Sequence, residues 1–196
     1  MRILVVGCSG SGKSTMGKAL ARALGVPHTE LDALNWAPGW RDRQSSDPDA
    51  FRRLIAEAAA PEAWVMDGNY TKIGGDHWVR ATHIVWMDTP RWRVMRQVVW
   101  RSLVRAISKR ELWPGTGNKE LFSRWLEKEH PIRWAWDTWS QVHDRYAAKF
   151  AEGTFEGRPV HRVGTPGEGK ALIDRFAAEA RAGAQGLPNA AAAAIL

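Results

Sequence analysis

A single cysteine, Cys8, stands in a chain of 196 residues, so no disulfide can form within it. One thiol fits a reducing compartment, and the cytoplasm is the expected location. No run reaches the roughly 18 apolar residues that a membrane-spanning helix needs, so no membrane partner is expected. The opening "MRILVVGCSG" is too short an apolar run for a secretory signal and reads as a strand entering a glycine turn. The histidines, at positions 28, 77, 83, 130, 143 and 161, lack metal-ligand spacing, which argues against a dedicated zinc site. Acidic residues are scarce relative to basic ones, 21 against 28, leaving a formal net charge of +7. Such a surface attracts nucleic acid, anionic lipid or phosphorylated small molecules, and composition does not choose among them. No RNP-like or zinc motif marks a nucleic-acid module. Nothing in the sequence fixes an oligomeric state.

Tryptophan is abundant instead: twelve are present, and the expectation is that most fill the core while some line a cleft. "RILVV" (2–6) is a buried parallel strand by composition, followed by a helix from Lys13 to about Leu24 that Gly25 ends. "PHTELD" (27–32) reads as a second strand. Asp47 and Pro48 open a helix within 45–60. "AWVMD" (63–67) and "THIVWMD" (82–88) are further strands, each closing on an aspartate. A long basic helix follows over 90–110. Asn118 is expected to cap a helix to about His130, and Pro131 to start another towards Ala151. Trp125, Trp134, Trp136 and Trp139 are expected to pack these helices onto the sheet. A last strand at 158–163 and a last helix at 167–181 complete one domain, residues 1–181, with a helical insertion or lid at about 90–151. The tail 182–196 has no amphipathic pattern and is expected to be poorly ordered. Alternating strands and helices imply an α/β fold, a parallel sheet covered on both faces, with ligands beyond the carboxyl ends of its strands.

"GCSGSGKST" (7–15) fits the pattern of glycine, four residues, then Gly-Lys-Ser. A phosphate chain needs many donors converging on a small volume, and Gly7, Gly10 and Gly12 let backbone N–H groups approach it. Ser9, Ser11 and Thr15 complete the cradle, and the helix that follows turns its positive end to the anion. Lys13 can reach the β- and γ-phosphates, and Ser14 can ligate Mg²⁺. The segment is an ATP·Mg²⁺ site by this reading. A carboxylate near the metal is also required: Asp67 is preferred and Asp88, which precedes a helix start at Pro90, is the alternative. On the basic helix, Arg96, Arg101, Arg105 and Lys109 recur at intervals of four or five, and Arg101 and Arg105 share a face. They can stabilise charge on a transferring phosphoryl group or grip a nucleic-acid backbone. In "LDALNWAPGW" (31–40), Asp32 falls at a strand end on the ligand-binding rim, with Trp36 and Trp40 as candidate walls of a substrate pocket and Arg41 as a candidate contact to an anionic acceptor.

"RILVVGCSGSGKST", "LDALNWAPGW", "WVMDGNY" and "IVWMDTPRWR", in that order, resemble the small P-loop proteins known as DNA topology modulation protein, the FlaR-like group. That group is related to adenylate kinase and other small-molecule and nucleotide kinases. The resemblance covers about residues 1–110, and "RWAWDTW" (133–139) resembles a Trp-rich helix of the group. It implies a P-loop NTPase three-layer αβα fold with a five-stranded parallel sheet, a mobile lid and a substrate segment after the second strand. It further implies Asp67-Gly68 near Mg²⁺, Asp32 on an acceptor hydroxyl, and the loop 164–171 near the adenine. "DGNY" lacks the arginine of the adenylate kinase "DGFPR", which weighs against AMP as acceptor. Segment 108–125 departs from the group's shorter connection. The expected activity is transfer of the ATP γ-phosphate to a small-molecule or nucleoside/nucleotide acceptor. The alternatives are an ATP-gated nucleic-acid-binding protein affecting DNA topology and a stand-alone NTPase with a protein partner.

Overall fold

The apolar run after Arg2 leaves its strand no solvent face. In the computed structural model, which describes residues 1–122, 125, 127 and 130–185, β1 (Arg2–Gly7) is central, and Ile3, Leu4, Val5 and Val6 are fully buried. It is followed by α1 (Lys13–Leu24), β2 (His28–Glu30), α2 (Leu31–Asn35), β3 (Trp36–Ala37), β4 (Arg41–Asp42), α3 (Arg43–Ser46), α4 (Pro48–Ala59) and β5 (Trp64–Asp67). Then come α5 (Asp76–Arg80), β6 (His83–Met87), α6 (Arg91–Ser108), α7 (Pro131–Ala151), β7 (Thr154–Phe155), β8 (Arg158–Val163) and α8 (Pro166–Gln185).

The main sheet runs β2-β5-β1-β6-β8-β7. Its first five strands are parallel, and the short β7 adds an antiparallel edge against β8. Period-two alternation along β1 feeds two cores. Leu4 and Val6 pack with Phe51 and Ile55 of α4 and Tyr146 of α7. Ile3 and Val5 pack on the other face with Met16 and Leu20 of α1 and Phe176 of α8. This is a three-layer αβα arrangement. Strand register sets Val5 and Glu30 beside Asp67, and Gly7 beside Met87. The P-loop, Glu30, Asp67 and Thr89 therefore emerge at one rim, beyond the carboxyl ends of the strands.

Several local expectations change. Only Glu30 ends the second strand; Leu31 starts α2, so Asp32 lies in a helix's first turn rather than in a strand. A two-stranded antiparallel hairpin, β3–β4, follows. Asn118 caps no helix: residues 118–121 form none, and Lys119 bridges back to Glu111. Much of the rest of the expected 118–130 helix lies outside the described residues. The last helix continues through Gln185, so it takes in the start of the expected tail; residues 186–196 lie outside the described residues. Of the twelve tryptophans only Trp64, Trp78 and Trp86 belong to the buried core. Trp134 and Trp136 are more than half exposed, because α7 turns that face outward while Ala135 and Tyr146 pack inward. Among the described residues, no helix is long and apolar enough to cross a membrane.

Candidate active site

The P-loop joins β1 to α1 through backbone that only glycine adopts readily. Gly12 caps α1 at φ 96°, and Gly10, at φ 83°, lies against α6. A Cβ at Gly10 would sit 3.0 Å from Val98 Cβ and 3.2 Å from the Val94 carbonyl oxygen. Lys13 Nζ donates to the Cys8 carbonyl oxygen at 3.0 Å, which parks the ammonium across the cradle. Cys8 itself is buried, and burial raises its thiol pKa, so it is held as a neutral packing group. Ser14 Oγ donates to Asp67 Oδ1 at 2.9 Å, and His28 Nε2 lies 2.8 Å from Asp67 Oδ2. Asp67 is almost fully buried and thus has both oxygens fixed.

The phrase "DGNY" is used residue by residue. Asn69 follows Asp67 and treats Gly7 as a strand partner would: its Oδ1 accepts from Gly7 N at 3.0 Å and its Nδ2 donates to Gly7 O at 2.7 Å. Tyr70 OH donates to Asp32 Oδ1 at 2.7 Å. Burial first, then the neighbouring Asp32 charge, pushes the Tyr70 pKa far up, so the phenol is a permanent donor. Neither partnership is legible in the chain, since each links residues far apart along it.

Asp88 stands apart. Its carboxylate meets Arg162 Nε at 2.6 Å and His143 Nε2 at 3.4 Å. Pro90, not Asp88, occupies the N-cap of α6, with no side-chain cap. The alternative aspartate is thus tied to β8 and α7, while Asp67 is the one in contact with Ser14.

A cleft of about 1300 Å³ spans the rim, lined at one end by Ser9 to Thr15 and at the other by Asp32, Asn35, Trp36, Trp40 and Trp113. The loop 164–166 borders it near α1, with Gly164 N and Thr165 N both donating to Glu168 Oε2. Trp40 meets Trp36 edge to face at 5.7 Å between ring centroids and Trp113 at 6.2 Å. Arg41 is exposed and is not among the lining residues, while Asp42 and Gln44 border the cleft. From α6, the lining residues are Arg93, Gln97, Arg101 and Arg105, one every four residues. That face replaces the expected one through Arg96 and Lys109, since Arg96 is exposed and lies over the Trp92 ring. The spacing of four from Arg93 was available in the sequence; what was missing was the helix's rotation.

Arg101 has unusual surroundings. Its Nε is buried without a hydrogen-bond partner. Burial and then the neighbouring Arg105 lower its pKa, with Glu120, Asp32 and Glu30 opposing. A desolvated guanidinium with no ion pair among the described residues is prepared for an anionic ligand. Glu30, also on the cleft, pairs with Lys18 at 2.5 Å. Glu120 and His130 form a buried pair at 2.7 Å, and both line the cleft. Among the described residues no cluster of three or more His, Cys, Asp or Glu could hold a metal ion by itself. Ser14 and Asp67 instead offer a hydroxyl and a carboxylate beside the phosphate cradle, the hard oxygen set Mg²⁺ takes together with nucleotide phosphates.

No protein-family model matches the chain. Among curated proteins it is similar to shikimate kinase from Synechococcus elongatus, 28% identical over 156 residues, covering 74% of this chain and 72% of that one. Among solved structures it is similar to shikimate kinase from Bacteroides thetaiotaomicron (TM-score 0.55, 17% identity, 92% of this chain and 98% of that one). A shikimate kinase from Acinetobacter baumannii in complex with shikimate also superposes (TM-score 0.53, 16% identity, 92% and 93% covered). The chain is thus homologous to a P-loop kinase and shares its fold. The likeness in sequence and fold supports an ATP-dependent phosphotransferase with a small molecule as acceptor.

Proposed function

We propose that the protein transfers the γ-phosphate of ATP to a hydroxyl of a small molecule held between Asp32 and the Trp36–Trp40 wall. The observation that carries this reading is the shared cleft: the Ser14–Asp67 pair and the P-loop open onto the same space as Asp32 and Arg101. Residues 1–181 act as one kinase unit, with the segment at about 90–151 supplying the lid. Backbone N–H groups of residues 9–15 bind the phosphates, and Lys13 exchanges the Cys8 carbonyl for the β- and γ-phosphate oxygens. Ser14 and Asp67 hold Mg²⁺, which neutralises phosphate charge when bound. Tyr70 occupies one oxygen of Asp32 and leaves the other to accept from the acceptor hydroxyl. The oxygen of the acceptor hydroxyl attacks the γ-phosphorus, the bond from that phosphorus to the β,γ-bridging oxygen breaks so that ADP leaves, and the hydroxyl proton passes late to Asp32. Positioning and charge stabilisation supply most of the acceleration, and Arg101 with Arg105 meets the charge on the equatorial oxygens. The loop 164–171 borders the adenine.

The test is ADP release from ATP with pooled metabolites, compared with the Lys13→Ala protein. Acceptor-dependent release that Lys13→Ala abolishes supports the reading. Only slow hydrolysis across nucleosides, nucleotides, sugars, hydroxy acids and small alcohols removes it. A second reading follows from the resemblance to the topology modulation group: an ATP-gated nucleic-acid-binding protein. The outer face of α6 favours it, with no acidic residue in the helix and Trp92, Arg96 and Trp100 exposed. Duplex binding that falls steeply with salt and responds to ATP supports this second reading; salt-independent or absent binding removes it.

A further inference from the structure

Trp40 has φ 60°, a left-handed conformation that a bulky residue keeps only when its surroundings hold it there. One hold comes from far along the chain. Asn118, 2% exposed, accepts from Trp40 N through Oδ1 at 2.9 Å and donates from Nδ2 to the Ala37 carbonyl oxygen at 2.9 Å. One side-chain amide thus binds both ends of the Ala37-Pro38-Gly39-Trp40 turn, in the way a neighbouring strand would. The segment that carries Asn118 is closed on itself: Leu112 N donates to Asn118 O at 2.9 Å, and Gly115 N donates to Glu111 Oε2 at 2.8 Å. Trp113 of the same segment packs edge-on against Trp40.

These contacts cross the cleft mouth. The β3–β4 hairpin carries the aromatic wall, and residues 109–122 lead from the end of α6, the helix bearing Arg101 and Arg105. We propose that Asn118 is a positioning residue of the acceptor end of the cleft: it fixes Trp40 as a wall and couples segment 109–122 to the hairpin, so that wall and cover order together. An acceptor that fits against Trp40 then selects the covered state, and one that displaces Trp40 loses the cover as well. The consequence for acceptor choice rests on the kinase reading above; the coupling itself does not.

The experiment is hydrogen–deuterium exchange of the full-length protein, with ADP·Mg²⁺ affinity measured in parallel, for wild type, Asn118→Ala and Asn118→Asp. For Asn118→Ala, exchange should accelerate about tenfold in both 36–42 and 109–122, the scale of one lost buried hydrogen bond. The P-loop segment 7–15 and the ADP affinity should stay within about twofold of wild type, since the donor side is untouched. Asn118→Asp keeps an acceptor for Trp40 N and loses the donor to Ala37, so its acceleration should be smaller at Trp40. Once the screen yields an acceptor, Asn118→Ala should raise the acceptor KM several-fold with the ATP KM unchanged. Acceleration confined to 109–122 overturns the proposal, as does a rise spread evenly over the sheet or an ADP affinity that falls in step. If the screen finds no acceptor, the exchange data still decide the coupling, so the two failures are distinguishable.

Discussion

Gly17 lies on α1 beneath the Asp67 carboxylate, and replacing it by alanine gives an outcome whose sign depends on His28. A Cβ there would come 2.6 Å from His28 Nε2, 3.0 Å from its Cδ2 and 3.4 Å from Asp67 Oδ2. The ring must retreat by roughly 0.8 Å to reach ordinary contact, and the 2.8 Å link between His28 and Asp67 is the contact it gives up. A hydrogen bond to a charged group contributes about 1.5–3 kcal/mol, while alanine gains about 1 kcal/mol over glycine inside a helix. The loss wins, leaving Gly17→Ala destabilised by roughly 0.5–2 kcal/mol. With His28 removed the clash is gone, so Gly17→Ala in a His28→Ala background should stabilise by about 1 kcal/mol. Urea unfolding of the four proteins in this cycle measures both numbers. Because Asp67 loses its second anchor in either single variant, the Mg²⁺-dependent part of ATP affinity should weaken in both, read as the ratio of Kd values with Mg²⁺ and with EDTA. A Gly17→Ala protein more stable than wild type, with its His28-containing background intact, would refute the reasoning.

Three further outcomes test other parts of the site. Arg101→Met removes a cation whose Nε is buried without a hydrogen-bond partner among the described residues, so it should raise Tm slightly while lowering acceptor-dependent turnover by about 100-fold; a loss of both contradicts the assignment. Asn69→Leu deletes both bonds to Gly7 and should cost about 2–3 kcal/mol in urea unfolding, with weakened ADP binding by calorimetry. His77 is fully buried, and burial lowers its pKa to about 4, with Asp76 opposing. The unfolded chain therefore binds more protons between about pH 6.5 and 4, and stability should fall as pH drops through that window. Replacing His77 by leucine should flatten that part of the stability–pH curve by up to roughly 3 kcal/mol, measured by denaturant titrations at several pH values.

The parts of the site that a sequence displays are those whose chemistry dictates residue type at fixed local spacing. Backbone donors around a phosphate need glycines at set intervals, so Gly7, Gly10, Gly12, Lys13 and Ser14 announce themselves. Asp67 ends an apolar run, and a carboxylate there meets the first helix through strand order alone. The hairpin β3–β4 and helix α2 stay hidden, because elements of two to five residues are too short to carry a period. The face of α6 stays ambiguous for a different reason. Arginines and apolar residues alternate around it, and only packing of Val94 and Val98 against Cys8 and Ala135 fixes which arginines meet the cleft. Tryptophan count says nothing about place: the same residue type fills the core at Trp64, walls the cleft at Trp40 and lies exposed at Trp100.

Two asparagines show what kind of information is missing. Asn69 and Asn118 each present a side-chain amide to a stretch of backbone, one at the donor end of the cleft and one at the acceptor end. A primary amide carries a donor and an acceptor in the geometry of a peptide group, so it can complete a ladder where no strand is present. In the proposed reaction each closes a turn that must stay open on its other side, for phosphates at Gly7 and for an acceptor at Trp40. A strand in either place would fill the cleft, and an unpaired turn would leave buried backbone groups without partners. A single long-range side chain satisfies the backbone and leaves the cleft empty. The residues that hold the two ends of this site therefore lie 62 and 78 positions from what they hold, and no local pattern in the chain could have announced them.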